Sequence, residues 1–277
     1  MVLSEYYKLN NGMRVPKVAL GTWQVSDKDA AEAVSVAIDA GFKHIDTAVA
    51  YGNEAGVGRG FRFGIEKTGV HREALFVTTK IPAEIKSFKE AERCIVESLK
   101  RLDCGSIDMM LIHAPRPWSE MNASCGCRYF DENVAVWKAL EDAYHAEKIR
   151  AIGVSNFGVD DLKNIFDNGT VFPAVNQIKV HIGHVPMDVI EFCEQNGILV
   201  EAYSPNATGK LSEVPEICEM AKKYKVSVPR LASRFDLQLG LLPLPKSVRP
   251  ERIRENANLD FEISAADMAR MLQIEGL

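Results

Sequence analysis

The chain has 277 residues, of which 47% are hydrophobic and 26% are charged, which suits one large domain or two small ones. A formal net charge of −5 argues against a nucleic-acid-binding protein, because no basic surplus is available to displace counterions from phosphates. The first residues lack the apolar core of a signal peptide, and no run approaches the roughly 18 apolar residues of a membrane span. We therefore predict a cytoplasmic protein without membrane contact.

Short apolar segments of the length typical of strands recur along the chain. Most are continuous apolar runs rather than alternating ones, as expected for parallel strands that are covered on both faces. The eight predicted strands span residues 15–21, 42–47, 74–80, 107–113, 149–155, 173–177, 197–204 and 241–246.

The segments between these strands have helical periodicity. The first helix begins with the capping pair Ser26 and Asp29 and ends at Gly41, and another begins with Ser87 and Glu90. The glycines in GVGRG, residues 56–60, lack the spacing of a dinucleotide-binding loop, so we expect close packing in the helix after Tyr51. Further helices are predicted over residues 133–147, 158–168, 186–195, 213–225, 228–239 and 250–256.

Eight strands, each followed by a helical segment, predict an α/β fold, a (β/α)8 barrel that forms a single domain over residues 1–277. An open doubly wound sheet shares this alternation and stays possible. Residues 115–133 form a long irregular segment after the fourth strand, which we interpret as a wall over the site. Cys125 and Cys127 lack the second ligand pair of a zinc site, so we expect reduced thiols and no metal.

Polar residues stand at the end of every predicted strand. In a barrel these ends meet on the face where active sites lie, so eight polar strand ends in register indicate a site. The positions are Thr22 and Trp23, Asp46, Lys80, His113, Ser155 and Asn156, Asn176 and Gln177, Tyr203 and Ser204, and Lys246 and Ser247.

Four of these side chains suit acid catalysis. Asp46 and Lys80 end neighbouring strands about 4.8 Å apart, so they are expected to pair in a shielded place. Tyr51 would place its hydroxyl against the Lys80 ammonium, whose charge is predicted to lower the tyrosine pKa from about 10. His113 would reach the place occupied by the Tyr51 hydroxyl and act there as an orienting group through hydrogen bonding. The set predicts that Tyr51 is a proton donor.

The ordered motifs HIDTAVAYGNE, VTTKI, DMMLIHAP, IGVSNF, AVNQ, AYSP and LPKSVRPERIREN strongly resemble those of the aldo-keto reductase family. The resemblance implies reduction of aldehydes and ketones to alcohols with NADPH or NADH. It also implies that Tyr51 transfers the proton, with Asp46, Lys80 and His113 as its supports. His113 favours carbonyl reduction, because members that reduce steroid C=C bonds carry Glu there.

The resemblance also implies a cofactor site. Ser155, Asn156 and Gln177 would hold the nicotinamide carboxamide, and Tyr203 would stack on the ring. Four basic residues within LPKSVRPERIREN suit the extra phosphate of NADPH, although Arg249 and Arg254 could instead form a solvated helix face. The predicted cofactor residues are Gly21, Thr22, Ser155, Asn156, Gln177, Tyr203, Ser204, Lys246, Ser247, Arg252, Glu255 and Asn256.

The substrate side departs from many members of the family. IPAEIKS follows the third strand in place of a Trp-Asn pair, and the chain ends soon after its last predicted helix. We therefore expect an open pocket for small aldehydes, dicarbonyls or keto-sugars, lined by Trp23, Trp118 and His113, with Tyr129 as a further wall. The protein is expected to be a monomer that binds a small carbonyl molecule and no nucleic acid.

Three other functions stay open. The chain could be a cofactor-sensing binding protein, as the potassium-channel β subunits of this family partly are, or a barrel without turnover, as lens-crystallin relatives are. The intact set of Asp46, Tyr51, Lys80 and His113 argues against lost turnover. A barrel isomerase would need a Glu base and a substrate phosphate site, and NADPH binding would exclude it.

Overall fold

A computed structural model of the chain describes residues 1–121 and 126–277. The predicted Cys125 of the C-x-C pair lies outside the described residues. The strands are β1 (Tyr6–Lys8), β2 (Arg14–Pro16), β3 (Leu20–Gly21), β4 (His44–Asp46), β5 (Phe76–Ile81), β6 (Met109–Ile112), β7 (Ile152–Ser155), β8 (Val175–Lys179), β9 (Leu199–Tyr203) and β10 (Leu242–Leu244). The α-helices are α1 (Asp27–Asp39), α2 (Glu54–Thr68), α3 (Phe88–Leu102), α4 (Phe130–His145), α5 (Val159–Asn168), α6 (Met187–Gln195), α7 (Pro215–Lys223), α8 (Val228–Gln238), α9 (Pro250–Asn256) and α10 (Ala265–Leu272).

Strands β3 to β10 form one parallel sheet in which spatial order follows chain order. The sheet closes on itself through two backbone hydrogen bonds, from Ala19 N to Pro243 O at 3.2 Å and from Gly21 N to Pro245 O at 3.0 Å. The predicted (β/α)8 barrel is therefore confirmed, and the open doubly wound sheet is excluded. No helix in the described ranges is both long and apolar enough to cross a lipid bilayer.

The prediction of one strand over residues 15–21 is wrong. Arg14–Pro16 pairs antiparallel with Tyr6–Lys8 in an N-terminal hairpin, and only Leu20–Gly21 enters the barrel. Pro16 ends the hairpin strand, a position that suits a residue without a backbone N–H. One apolar run in the sequence, residues 15–21, is thus divided between the hairpin and the barrel sheet.

The hairpin closes the barrel at the end where the strands begin. Leu9 and Val15 belong to the same buried cluster as Phe76 and Met109, the first residues of β5 and β6. Because this end is filled by apolar side chains, the opposite end, where the strands terminate, is left as the face for a site.

Two helices differ from the predictions. Helix α4 begins at Phe130 rather than at residue 133, which shortens the irregular segment after β6. That segment also contains a 3-10 turn over Trp118–Glu120. Helix α10 was not predicted, although Ser264 caps it by accepting a hydrogen bond from the backbone of Asp267.

The glycines of residues 56–60 lie within helix α2, as predicted. A methyl group on Gly56 would overlap the carbonyl oxygen of Asp27, and one on Gly58 would overlap the carbonyl oxygen of Leu102. Gly60 similarly faces Ala31 and would contact its carbonyl oxygen at 2.6 Å. The absent side chains thus allow α2 to pack closely against α1 and the end of α3.

We expect Gly58→Ala to destabilise the protein. The methyl group meets rigid backbone at Leu102, so overpacking should cost about 1–3 kcal/mol even after the better helix propensity of alanine is counted. Urea-induced unfolding measures the change. Glu66→Ala, on the exposed face of the same helix, is the matched control and should stay within about 0.5 kcal/mol of wild type. Equal stability of the two variants would contradict the close-packing account.

Candidate active site

The strand ends bring the four predicted catalytic side chains together. Asp46 is the last residue of β4, Lys80 lies near the end of β5, and His113 directly follows β6. Tyr51 is on the 3-10 turn Val49–Tyr51 between β4 and α2. Neighbouring strands of a parallel barrel therefore place all four on one face.

A buried ion pair forms the floor of this cluster. The Lys80 Nζ atom, fully buried, donates to Asp46 Oδ1 and Oδ2 at 2.7 and 2.8 Å and to the Thr47 carbonyl oxygen at 2.9 Å. Burial opposes the charged ammonium, but the negative charge of Asp46, with smaller effects of Tyr51 and Glu201, raises the pKa of Lys80 overall. Lys80 is therefore a fixed cation at neutral pH.

The Tyr51 hydroxyl lies 3.5 Å from Lys80 Nζ, within hydrogen-bonding distance as predicted. The predicted lowering of the Tyr51 pKa is wrong in this structure. Burial raises the pKa of Tyr51 by more than the Lys80 charge lowers it, and the Asp46 charge raises it further. The phenol consequently stays protonated at neutral pH, which is the state that a proton donor needs.

His113 is a neutral imidazole at the rim of the cluster. Burial, together with the nearby Lys80 charge, lowers the pKa of His113 to about 3. Its ring packs edge-to-face against Tyr51 and Trp118, with centroid distances of 5.5 and 5.2 Å. Its Nδ1 atom is buried and has no hydrogen-bond partner among residues 1–121 and 126–277.

Sequence reasoning missed Asn53, which fixes the loops around the cluster. The Thr47 hydroxyl donates to Asn53 Oδ1 at 2.7 Å, and Asn53 Nδ2 donates to the carbonyl oxygens of Thr22 and Val25, both at 2.9 Å. Asn53 directly precedes α2, where asparagine is typical of a helix cap, yet its side chain makes no capping bond. Its position alone would therefore have suggested a different role.

Glu201 was also missed. Gln177 Nε2 donates to Asp46 Oδ1 at 2.9 Å and to Glu201 Oε2 at 2.7 Å, which extends the polar cluster across the barrel interior. Glu201 is fully buried in β9. A charged residue inside an apolar strand was the available sequence signal, since such residues are rarely buried without a specific partner.

The residues predicted to hold the nicotinamide lie together above the cluster. The Ser155 hydroxyl donates to the backbone oxygen of Gln177 at 2.8 Å, and Asn156 Nδ2 donates to the backbone oxygen of His113 at 2.9 Å. The Tyr203 hydroxyl donates to Asn156 Oδ1 at 2.8 Å. These bonds fix amide, hydroxyl and aromatic groups at one edge of the barrel mouth.

The other predicted cofactor residues flank this group. The Thr22 hydroxyl donates to the backbone oxygen of Asp46 at 2.9 Å, and Ser204 begins the loop after β9 with a positive φ of 55°. Gly21 adjoins the basic segment after β10, because a methyl group on it would lie 3.8 Å from the Lys246 Cβ. The structure thus places Gly21 between the barrel mouth and the basic segment.

The basic segment after β10 contains one side chain that forms an ion pair and others that form none with the described residues. Arg254 pairs with Asp39 at 3.3 Å, whereas Lys246 and Arg252 are exposed and form no ion pair within the described part of the chain. Ser247 is buried and accepts a hydrogen bond from the backbone of Arg249 at 3.1 Å. Glu255 is exposed and Asn256 is buried at the end of α9.

The predicted substrate walls differ in how close they are to the cluster. Trp118, 43% exposed, contacts His113, and Tyr129 is tied to the same segment because its hydroxyl donates to the Glu120 carboxylate at 2.9 Å. Trp23 is 46% exposed and directly follows Thr22. Two indole rings thus lie open to solvent near the mouth.

Comparison with known proteins agrees with this geometry. The model of the aldo/keto reductase family matches residues 17–275. The chain belongs to this family. A glyoxal reductase of Bacillus subtilis is 37% identical over 271 residues, which cover 97% of this chain and 92% of that protein.

Solved structures of the family share the fold over nearly the whole chain. An aldo/keto reductase of Brucella melitensis has a TM-score of 0.89 and 32% identity, and the match covers 99% of this chain and 98% of that one. A Bombyx mori aldo-keto reductase, solved in complex with NADP, has a TM-score of 0.89 and 33% identity, with coverage of 99% and 94%. The predicted family and its class, an NADP-dependent oxidoreductase, are confirmed.

In this aldo/keto reductase we expect Asp46→Asn to be strongly destabilising. The substitution leaves the buried Lys80 ammonium without its anionic partner, which typically costs about 3–5 kcal/mol. The pKa of Lys80 should fall, because Asp46 is what raises it. In wild type the stabilisation from the raised Lys80 pKa is full at neutral pH and is lost as the pH rises through that pKa, so the variant should lose less stability between neutral and alkaline pH than wild type.

Urea unfolding at neutral and alkaline pH measures both effects. Glu5→Gln is the control, because it removes the exposed pair with Lys17 and should cost less than about 1 kcal/mol. A similar, small loss in both variants would show that the buried pair is not the stabilising element inferred here.

Proposed function

We propose that this protein reduces small aldehydes, dicarbonyls or keto-sugars to alcohols with NADPH, and that Tyr51 donates the proton. The observation that carries the proposal is the Tyr51 hydroxyl, 3.5 Å from the ammonium of Lys80, which is itself paired with Asp46 at 2.7 Å. A protonated phenol beside a fixed cation suits an oxygen on which negative charge develops.

Tyr51, Lys80 and His113 each have a separate role in carbonyl reduction. NADPH, when bound, supplies the hydride to the carbonyl carbon. Tyr51 gives its proton to the developing alkoxide, and the Lys80 charge stabilises the phenolate that remains. The His113 ring, which is neutral and packs edge-to-face against Tyr51, orients the carbonyl oxygen through a ring nitrogen. Proton transfer from a positioned side chain is worth about 10²–10⁴ in rate.

The donor set of the barrel mouth fits NADPH. In our proposal Ser155, Asn156 and Gln177 form hydrogen bonds with the nicotinamide carboxamide, and Tyr203 packs on the nicotinamide ring. Lys246, Ser247 and Arg252 bind the extra phosphate, Glu255 and Asn256 contact the adenine, and Gly21, Thr22 and Ser204 border the dinucleotide. The supporting observation is that Lys246 and Arg252 form no ion pair with the described residues and so remain available for an anion.

The open mouth supports a small substrate. Trp118 contacts His113 and Trp23 is exposed nearby, so both indoles can pack on a carbonyl compound without enclosing it. The Bacillus subtilis relative is a glyoxal reductase, which favours dicarbonyls among the candidates. We further propose that the enzyme acts as a cytoplasmic monomer and needs neither metal nor nucleic acid.

Tyr51→Phe should abolish most turnover while NADPH still binds. With methylglyoxal as substrate and NADPH absorbance as the readout, we expect kcat/KM to fall by about 10²–10⁴-fold, because the proton donor is lost. Tyr7→Phe is the matched control, since the Tyr7 hydroxyl donates to the Leu241 backbone at the closed end of the barrel. Turnover retained in Tyr51→Phe would refute the assignment. NADPH binding without turnover in wild type would instead favour a cofactor-sensing protein.

Arg252→Ala should weaken NADPH binding and leave NADH binding unchanged. Loss of a charge-assisted hydrogen bond to phosphate is worth about 1.5–3 kcal/mol, or roughly a tenfold to hundredfold higher Kd. Arg254→Ala is the control, because Arg254 lies on the same helix but is paired with Asp39. Fluorescence titration with both nucleotides measures the difference. Equal weakening of NADPH and NADH by Arg252→Ala would rule out a phosphate contact.

A further inference from the structure

A buried acid that the proposed mechanism does not use lies beneath the barrel mouth. Glu201 is the middle residue of β9 and has no exposed surface. In the parallel register of β8 and β9, Glu201 is the direct partner of Gln177, so the two side chains stand on the same face of the sheet. That face is the barrel interior, because Gln177 also reaches Asp46 on the far side.

The Gln177 amide joins Glu201 to the catalytic cluster. A primary amide has two N–H donors, and Gln177 Nε2 makes two hydrogen bonds, to Glu201 Oε2 at 2.7 Å and to Asp46 Oδ1 at 2.9 Å. No residue in the described ranges donates to the Gln177 side-chain oxygen. Rotating the amide by half a turn would remove both of these bonds and set the amide oxygen against the Asp46 carboxylate, so the two acids define its orientation.

We propose that Glu201 is a positioning residue for the cofactor. It holds the Gln177 amide nitrogen inward, so that the amide oxygen faces the mouth and accepts from the N–H groups of the nicotinamide carboxamide. The inference rests on the proposed function, in which Gln177 reads that carboxamide. With Glu201 absent, one N–H of the amide would be buried without a partner, and the amide would be less firmly oriented.

The protonation state of Glu201 matters for this role. The charged groups that face it are Asp46 on β4 and Lys80 on β5. Burial and the Asp46 charge raise the pKa of Glu201 to about 8, against smaller opposing effects of the Gln177 hydrogen bond and Lys80. Glu201 Oε1 is buried and has no hydrogen-bond partner among the described residues. At neutral pH the acid is therefore mostly uncharged, and at alkaline pH two anions share one amide nitrogen.

The decisive experiment measures NADPH dissociation constants for wild type, Glu201→Met, Glu201→Gln, Gln177→Ala and the double variant with Glu201→Met and Gln177→Ala. Methionine matches the length of glutamate without accepting a hydrogen bond, so Glu201→Met should raise the Kd about tenfold. Glu201→Gln keeps an acceptor and should stay within about twofold of wild type.

The double variant separates positioning from a merely structural role. If Glu201 acts through Gln177, then Glu201→Met should add nothing once Gln177 has been replaced by alanine. Val200→Ala is the structural control, because Val200 neighbours Glu201 on β9 but packs in the outer core. It should lower the melting temperature and leave the Kd unchanged.

A pH series provides a readout that does not depend on Glu201→Met being folded. In wild type the NADPH affinity should rise as the pH rises through about 8, since ionised Glu201 is the stronger acceptor for the Gln177 N–H and holds the amide more firmly. Glu201→Gln should lack this inflection. An inflection that persists in Glu201→Gln would overturn the proposal.

The other outcomes are equally distinct. A wild-type Kd in Glu201→Met, or additive effects in the double variant, would also overturn the positioning role while leaving the proposed function intact. A wild-type protein that binds no NADPH would instead refute the proposed function, on which the inference rests.

Discussion

The buried pair of Lys80 and Asp46 is the interaction on which the active-site face depends. The fully buried ammonium of Lys80 is tolerated only because both carboxylate oxygens of Asp46 and the Thr47 carbonyl oxygen accept hydrogen bonds from it. Replacing such a pair with apolar residues often costs nothing, so its presence is weak evidence for stability alone. Its position explains it better, because Tyr51 and Gln177 each contact one member of the pair. The pair thus fixes both the proposed proton donor, Tyr51, and the Gln177 amide.

The positions of the proposed catalytic side chains followed from the sequence because barrel geometry is restrictive. Asp46, Lys80 and His113 end successive strands, and parallel strands bring such ends to one face. The Tyr51 pKa did not follow. A sequence shows that a lysine is near, but the direction of the shift depends on how burial weighs against the Lys80 charge and how far Asp46 cancels that charge. Those opposing effects depend on three-dimensional surroundings that no motif encodes.

The misses elsewhere have a common physical cause. Residues 15–21 form one apolar run in the sequence, yet the chain turns from the hairpin to the barrel within it. Strands of two or three residues show too little periodicity to reveal which partner they pair with. The role of Asn53 is ambiguous in the same way. Asparagine before a helix can cap that helix or can bridge loops, and here it bridges loops. In both cases a long-range contact, absent from any local pattern, decides the structure.

The polar layer inside the barrel joins the proposed cofactor contact, Gln177, to the proposed proton donor, Tyr51. From Glu201 the hydrogen bonds run through Gln177 to Asp46, then to Lys80 and Tyr51. Asp46 therefore accepts hydrogen bonds from both Gln177 and Lys80, and any charge added at Glu201 acts on both of these contacts. An uncharged acid at that position supplies an acceptor to the amide without competing with Asp46 for the Lys80 ammonium. A permanent anion there would weaken that balance, since it would place two negative charges against one positive charge in a medium that screens them poorly.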